Sequence, residues 1–346
     1  MACSGKAVHN NKLGAIFQIM IGEPFSVETP SAGKIHGVRW GNPNAPAVLG
    51  LHGWLDNVAT FAPLSPLLAD LQIFAIDLPG HGLSEHRPSG VRYHLLDYVP
   101  AVLESADALK LGEFILMGHS LGGAISGLLT VAMPERIRAL VLLEALGPLS
   151  EPEDKAATRL SDSLHAYQSA YARTPPIYPE LQALIKMRAE VGKMTEKSAQ
   201  LLIERNTNRT RDGYQWRSDS RLRLPSPSYF SEAQVLEYLK AINVPTVIIL
   251  GEDGLLLQRD TLAARLAALP EADVHRFRGG HHLHMDNPKP VAEAVNKFTG
   301  NPFCGKNVRN KLFVGIYSYG KTGYSVSRHV NSYRTVPAPL NALALK

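Results

Sequence analysis

The stretch Glu113–Gly127 constrains this chain more than any other. Phe114–Met117 is a short apolar run closed by a turn signal, which reads as a buried strand. Gly118, Ser120 and Gly122 complete a G-x-S-x-G pentapeptide, and the small residues after it can open a helix. Strand, tight turn and helix together are the context of a nucleophile elbow, in which the serine hydroxyl stands at the tip of a strained turn. The glycines are needed because the strand and helix leave no room there for side chains. The pentapeptide alone is common, and its bland alternative is a glycine-rich phosphate cradle. A Walker-type loop would need Gly-Lys-Ser/Thr at the helix start, where this chain has Leu121-Gly122-Gly123.

The surrounding sequence is of one kind. Ala47–Leu51, Gln72–Ile76, Ile137–Leu143, Pro245–Leu250 and Asp273–Phe277 read as strands, most of them wholly apolar. Phe25–Thr29 and Lys34–Trp40 flank Pro30-Ser31-Ala32-Gly33 and read as a hairpin. Helical spacing is expected over Leu64–Leu71, Asp97–Leu109 and Pro290–Phe298. Apolar strands alternating with helices predict an α/β domain, a mostly parallel sheet covered on both faces. Ligands in such sheets sit at the carboxyl ends of the strands. His52, Asp77, Ser120 and Glu144 all follow strand ends, so the reactive candidates gather on one edge.

The alternation lapses over about residues 150–235, which are polar and helical in flavour, without strong strand runs. An insertion at that place is expected to act as a lid. The predicted organisation is an N-terminal extension (1–22), an α/β domain (23–300) and a basic, disordered tail (301–346). The tail holds seven Lys/Arg and no acidic residue, so removing its charge from the net +5 leaves the first 300 residues near −2. The basic character therefore belongs to the tail, and the body gives no reason to expect nucleic acid. No apolar run reaches the length of a membrane span. Two cysteines, near the ends, suggest neither a disulfide framework nor a zinc site, as expected of a cytoplasmic protein. The first 22 residues also admit a short targeting segment.

A serine nucleophile needs a base. The loop Gly279–Pro288 follows the last strand and can swing back over the elbow, and His281, first after the glycines, is the candidate. His282 and His284 are read as structural. Together with Asp286 they also form an H-x-H-x-D pattern that would suit a metal, with no second ligand cluster in view. The imidazolium needs a carboxylate. Asp253, after the penultimate strand, and Glu144, after the strand that follows the elbow helix, are both candidates. An oxyanion would need two donors, expected from the amides of Leu121 and Trp54.

Four motifs now stand in order: Leu51-His-Gly-Trp54, Asp77-Leu-Pro-Gly-His-Gly-Leu-Ser84, Gly118-His-Ser-Leu-Gly-Gly123 and Gly280-His-His-Leu-His-Met-Asp-Asn-Pro288. Together they resemble the α/β-hydrolase fold family over about residues 24–300. Within it the chain is most similar to the serine hydrolase-like proteins, near the epoxide hydrolase and haloalkane dehalogenase branch. The resemblance implies Ser120 as nucleophile, His281 as base and Trp54 and Leu121 as oxyanion donors. Those two enzyme classes carry Asp at the elbow, so Ser120 implies ester, thioester or amide hydrolysis of a small acyl substrate, with no metal or organic cofactor. The family spaces its acid as Gly-x-x-Asp, whereas Gly251-Glu-Asp253 is one residue short and Gly254 stands in that place. Relatives lacking the usual acid take it from the strand after the elbow, which favours Glu144 over Asp253. A non-catalytic protein that only binds a small apolar ligand is the alternative.

Overall fold

The computed structural model describes residues 22–170 and 176–300. The tail and nearly all of the N-terminal extension lie outside the described residues. Among those described, no helix is long and apolar enough to cross a membrane.

Eight strands form one sheet: β1 (Glu23–Thr29), β2 (Gly33–Gly41), β3 (Ala47–Leu51), β4 (Gln72–Ile76), β5 (Phe114–His119), β6 (Ile137–Leu143), β9 (Thr246–Gly251) and β10 (Asp273–Phe277). Their spatial order is β1-β2-β4-β3-β5-β6-β9-β10. The hairpin β1–β2 lies at one edge and β2 runs antiparallel to β4, whereas every pairing from β4 to β10 is parallel. The elbow strand β5 thus lies near the centre of the sheet, between β3 and β6.

The pleat explains why the central strands β3, β4, β5, β6 and β9 lack a polar face. Leu49, Leu116, Leu140, Leu142, Ile248 and Leu250 point into one core. Helices α1 (Tyr98–Ala108) and α2 (Leu121–Ala132) close that face. Their neighbours Val48, Ile115, Met117, Val141, Val247 and Ile249 point into a second core, against α9 (Pro288–Thr299) and the segment 58–71. A strand buried on both sides must be apolar at every position. The expected helix over Leu64–Leu71 does not form; short 3₁₀ turns at Val58–Phe61 and Ser65–Leu67 take its place. Pro66 stands near the start of the second of these turns.

Between β6 and β9 the chain leaves the sheet. It forms α3 (Ala156–Ala170), α4 (Leu181–Gly192) and α5 (Glu196–Asn206), then a two-stranded hairpin, β7 (Thr207–Thr210) with β8 (Gly213–Trp216). The helix α6 (Glu232–Lys240) follows and returns to the sheet through Val235 and Leu239. The hairpin corrects the purely helical expectation for this insertion. Its four-residue strands are too short to leave a period-two signal, and Tyr214 is tied to Tyr178 by paired main-chain hydrogen bonds. Leu184, Ile185, Leu202 and Ile203 give the insertion a small core of its own. Met285, from the short helix α8 (Leu283–Asp286) after the histidine loop, joins that core. The remaining helix, α7 (Leu262–Ala268), lies between β9 and β10 in sequence.

Candidate active site

Ser120 sits between β5 and α2 with φ 50° and ψ −114°, a conformation costly for any residue but glycine. It is held there from several sides. Its amide donates to the Leu143 carbonyl at 3.1 Å, and its carbonyl accepts from Gly123 and Ala124. Gly122 lets the neighbouring loop come close, because a Cβ there would fall 2.1 Å from the Leu51 carbonyl oxygen. Through that contact the Gly122 amide donates to the His52 carbonyl at 3.1 Å. The loop after β3 is thereby fastened to the elbow.

That loop carries Trp54. Its amide, and that of Leu121 at the first helical position, have no hydrogen-bond partner among the described residues. The Trp54 side chain is half exposed and its indole Nε1 donates to the Leu222 carbonyl of the insertion at 3.0 Å. His52 braces the loop from inside. Its Nε2 accepts from the Leu78 amide at 2.9 Å, so the proton is on Nδ1, which lies 2.7 Å from the Gly53 carbonyl. Burial lowers its pKa, with Asp77 opposing.

His281 reaches the edge from the loop after β10, and its Nδ1 lies 3.2 Å from Glu144 Oε2. Glu144 directly follows β6 in a left-handed conformation, φ 47°, which turns its buried side chain across the sheet edge. Its Oε1 also accepts from the Gly251 amide at 2.7 Å and its Oε2 from the Leu255 amide at 3.0 Å. Of the two candidate carboxylates, the fold brings Glu144 to His281. Asp253 is exposed, and its side chain makes no hydrogen bond or ion pair among the described residues. Burial lowers the His281 pKa below its ordinary 6.5, against the pull of Glu144, so the ring is neutral at pH 7. With Nδ1–H directed at the carboxylate, the free lone pair is on Nε2. The Ser120 hydroxyl makes no hydrogen bond among the described residues.

Behind His281 lies a polar network that the sequence did not signal. Asp56, 1% exposed, accepts from Arg188 of α4 at 2.5 Å and from His282 at 3.1 Å, and faces His119 Nδ1 at 3.6 Å. Burial raises the Asp56 pKa, but Arg188 and His282 outweigh it and hold the carboxyl well below the usual range. Burial pushes His282 down to about 4 despite Asp56. The H-x-H-x-D residues do not converge. His282 turns to Asp56, His284 Nε2 lies 2.7 Å from the Thr60 hydroxyl, and Asp286 accepts from Ser198 at 2.6 Å. Donor atoms of Asp56, His119 and His282 do lie within 4.8 Å of one another. The Arg188 guanidinium on that carboxylate already supplies its balancing charge, and of the two imidazoles only His282 is within hydrogen-bond distance of it. A second insertion arginine, Arg205, binds buried Asp77 at 2.7 Å.

A family model described as the alpha/beta hydrolase fold matches residues 46–288. A protein of Danio rerio named serine hydrolase-like protein is 31% identical over 277 residues, covering 77% of this chain and 85% of that one. Serine hydrolase-like protein 2 of Homo sapiens is 28% identical, over 77% and 90% of the two chains. Among solved structures, a hypothetical protein of Pseudomonas aeruginosa PAO1 is 37% identical with a TM-score of 0.76, over 81% and 99% of the chains. A thioesterase domain from the curacin biosynthetic pathway is 26% identical with a TM-score of 0.72, over 80% and 99%. The strand order, the serine at the bend and the extent of these matches agree, and the chain belongs to the α/β-hydrolase fold family.

Proposed function

We propose that this chain is a serine hydrolase that cleaves a carboxylic ester, or a related acyl bond, through an acyl-enzyme on Ser120. The observation that carries the reading is the contact between His281 Nδ1 and Glu144 Oε2, on the same sheet edge as a strained serine. Glu144 fixes the ring so that Nε2 presents a lone pair, and it balances the charge when that nitrogen takes the serine proton. Ser120 Oγ attacks the carbonyl carbon, and the resulting oxyanion is met by the amides of Trp54 and Leu121. His281 then returns the proton to the leaving group. A water molecule, deprotonated by the same nitrogen, releases the acid from the enzyme. The insertion over residues 150–235 serves as a lid, tied to the loop after β3 through the Trp54–Leu222 hydrogen bond.

The names of the relatives support hydrolysis in general, and the thioesterase domain among the structural neighbours supports an acyl-enzyme chemistry. Labelling with a fluorophosphonate probe is the direct test. The native chain should be labelled and Ser120→Ala should not. A folded native protein that stays unlabelled would replace this reading with that of a non-catalytic ligand-binding member of the family.

A further inference from the structure

Asp56 is the meeting point of four separate parts of the fold. Leu55, in a left-handed conformation with φ 61°, turns the chain so that the next side chain enters the protein beneath the Trp54 loop. There Oδ1 accepts from Arg188 of the insertion helix α4, and Oδ2 accepts from His282 of the histidine loop. The same Oδ2 faces His119 of the elbow strand at 3.6 Å.

The chemistry of His119 makes this arrangement conditional. Its Nε2 lies 2.9 Å from the His281 carbonyl, which can only accept, so Nε2 carries the proton. The other ring nitrogen, Nδ1, is buried, lacks a hydrogen-bond partner among the described residues, and faces the Asp56 carboxylate. The Arg188 guanidinium sits on the same carboxylate and so sets the charge that this nitrogen meets in a dry site. His281 depends on both neighbours: its carbonyl is held by His119, and the residue after it, His282, is held by Asp56.

We propose that Arg188 is a positioning residue for His281: by closing on Asp56, the insertion helix fixes the two imidazoles, His119 and His282, that hold the histidine in place. Lid closure and assembly of the base are then one event. The inference rests on His281 serving as the base of Ser120. The charged and titratable groups facing His281 are Glu144, His119, His282 and, one layer behind, Asp56, with His284 packed on the His119 ring at 4.3 Å between centroids. Asp56 in turn feels His52 as well as Arg188, and the Arg205–Asp77 pair keeps its own balance nearby.

The test measures the rate of fluorophosphonate labelling of the full chain between pH 5 and 9. Arg188→Ala should slow labelling at neutral pH roughly tenfold and move the acid inflection upward by about one pH unit, because the uncompensated Asp56 charge favours protonated imidazoles. Guanidinium at about 20 mM, well below denaturing concentrations, should restore both. Arg188→Lys, which keeps the charge without the fork, should keep the inflection. The double variant Arg188→Ala/Asp56→Asn should also return the inflection toward that of the native chain. An Arg188→Ala protein with an unmoved inflection and only a lower Tm would overturn the proposal. If the native chain were unlabelled, the hydrolase reading would fail. Histidine ring titration by NMR would then decide this one: unchanged His281 and His282 titrations in Arg188→Ala overturn it, and upward shifts support it.

Discussion

Gly254 lies against the carboxylate of Glu144: a Cβ on Gly254 would fall 2.2 Å from Oε1 and 2.5 Å from Oε2. The missing side chain and the Glu144 carboxylate across the sheet edge are therefore two halves of one arrangement: the space left at Gly254 is filled by the side chain that follows β6. That arrangement supports the proposed role of Glu144 as the acid. The Gly251 and Leu255 amides, on either side of Gly254, donate to the same carboxylate.

Exchanging the two candidate acids checks this first. Glu144→Gln should lower kcat/KM for a p-nitrophenyl ester by about three orders of magnitude, because the amide no longer balances the imidazolium or holds its tautomer. Asp253→Asn should stay within about twofold, as expected for an exposed surface carboxylate. Steady-state kinetics on both variants decides the matter, and the reverse pattern would give the role to Asp253.

Gly254→Ala should act through Glu144. The added methyl cannot be accommodated without displacing the carboxylate, which loosens its hold on His281. We expect kcat to fall roughly 10- to 100-fold with little change in KM, since a lost transition-state interaction lowers kcat. An unchanged kcat would mean that the carboxylate can move without consequence.

Much of this was legible in the sequence, and the residues show why. The central strands announced themselves because burial on both faces forbids polar positions, as in Ala47–Leu51. The elbow was legible because only glycine fits Gly118 and Gly122. Gly254 was also a signal: a glycine where an acid is expected points to an acid arriving from elsewhere. Asp56 and Arg188 could not be found, because they are 132 residues apart and nothing in either local pattern marks a buried pair. The hairpin at Thr207–Trp216 was equally hidden, since four-residue strands carry no period. Over Leu64–Leu71 the apolar spacing suggested a helix, and a 3₁₀ turn at Ser65–Leu67 stands there instead.

With His281 as the proposed base, the pH dependence of turnover follows from its ring. The base must be neutral, and burial lowers its pKa below 6.5. Activity should therefore rise with pH through a single acid inflection below 6.5 and be flat through neutrality. A kcat/KM profile still climbing at pH 7.5 would be at odds with a buried, neutral His281.

Stability should respond to acid with the same sign and a larger reach. His284 and His52 are lowered by burial, His282 to about 4 and His81 to about 3. In the unfolded chain each of these takes a proton near 6.5, so below that pH the unfolded state binds more protons than the folded one. The contribution of the neutral rings is thus complete above pH 6.5 and is lost as pH falls toward 4. Each fully buried ring can contribute up to about 1.4 kcal/mol per pH unit across that window. Asp56, held well below its ordinary range, extends the loss to lower pH. Urea midpoints at pH 7.5, 6, 5 and 4 should therefore fall steadily once pH drops below 6.5. His284→Gln, whose side-chain amide reaches the position of Nε2 beside the Thr60 hydroxyl but cannot titrate, should flatten part of that slope while lowering the midpoint at pH 7.5 by a smaller amount. A pH-independent midpoint between 7.5 and 5 would mean that the buried histidines titrate alike in the folded and unfolded chain.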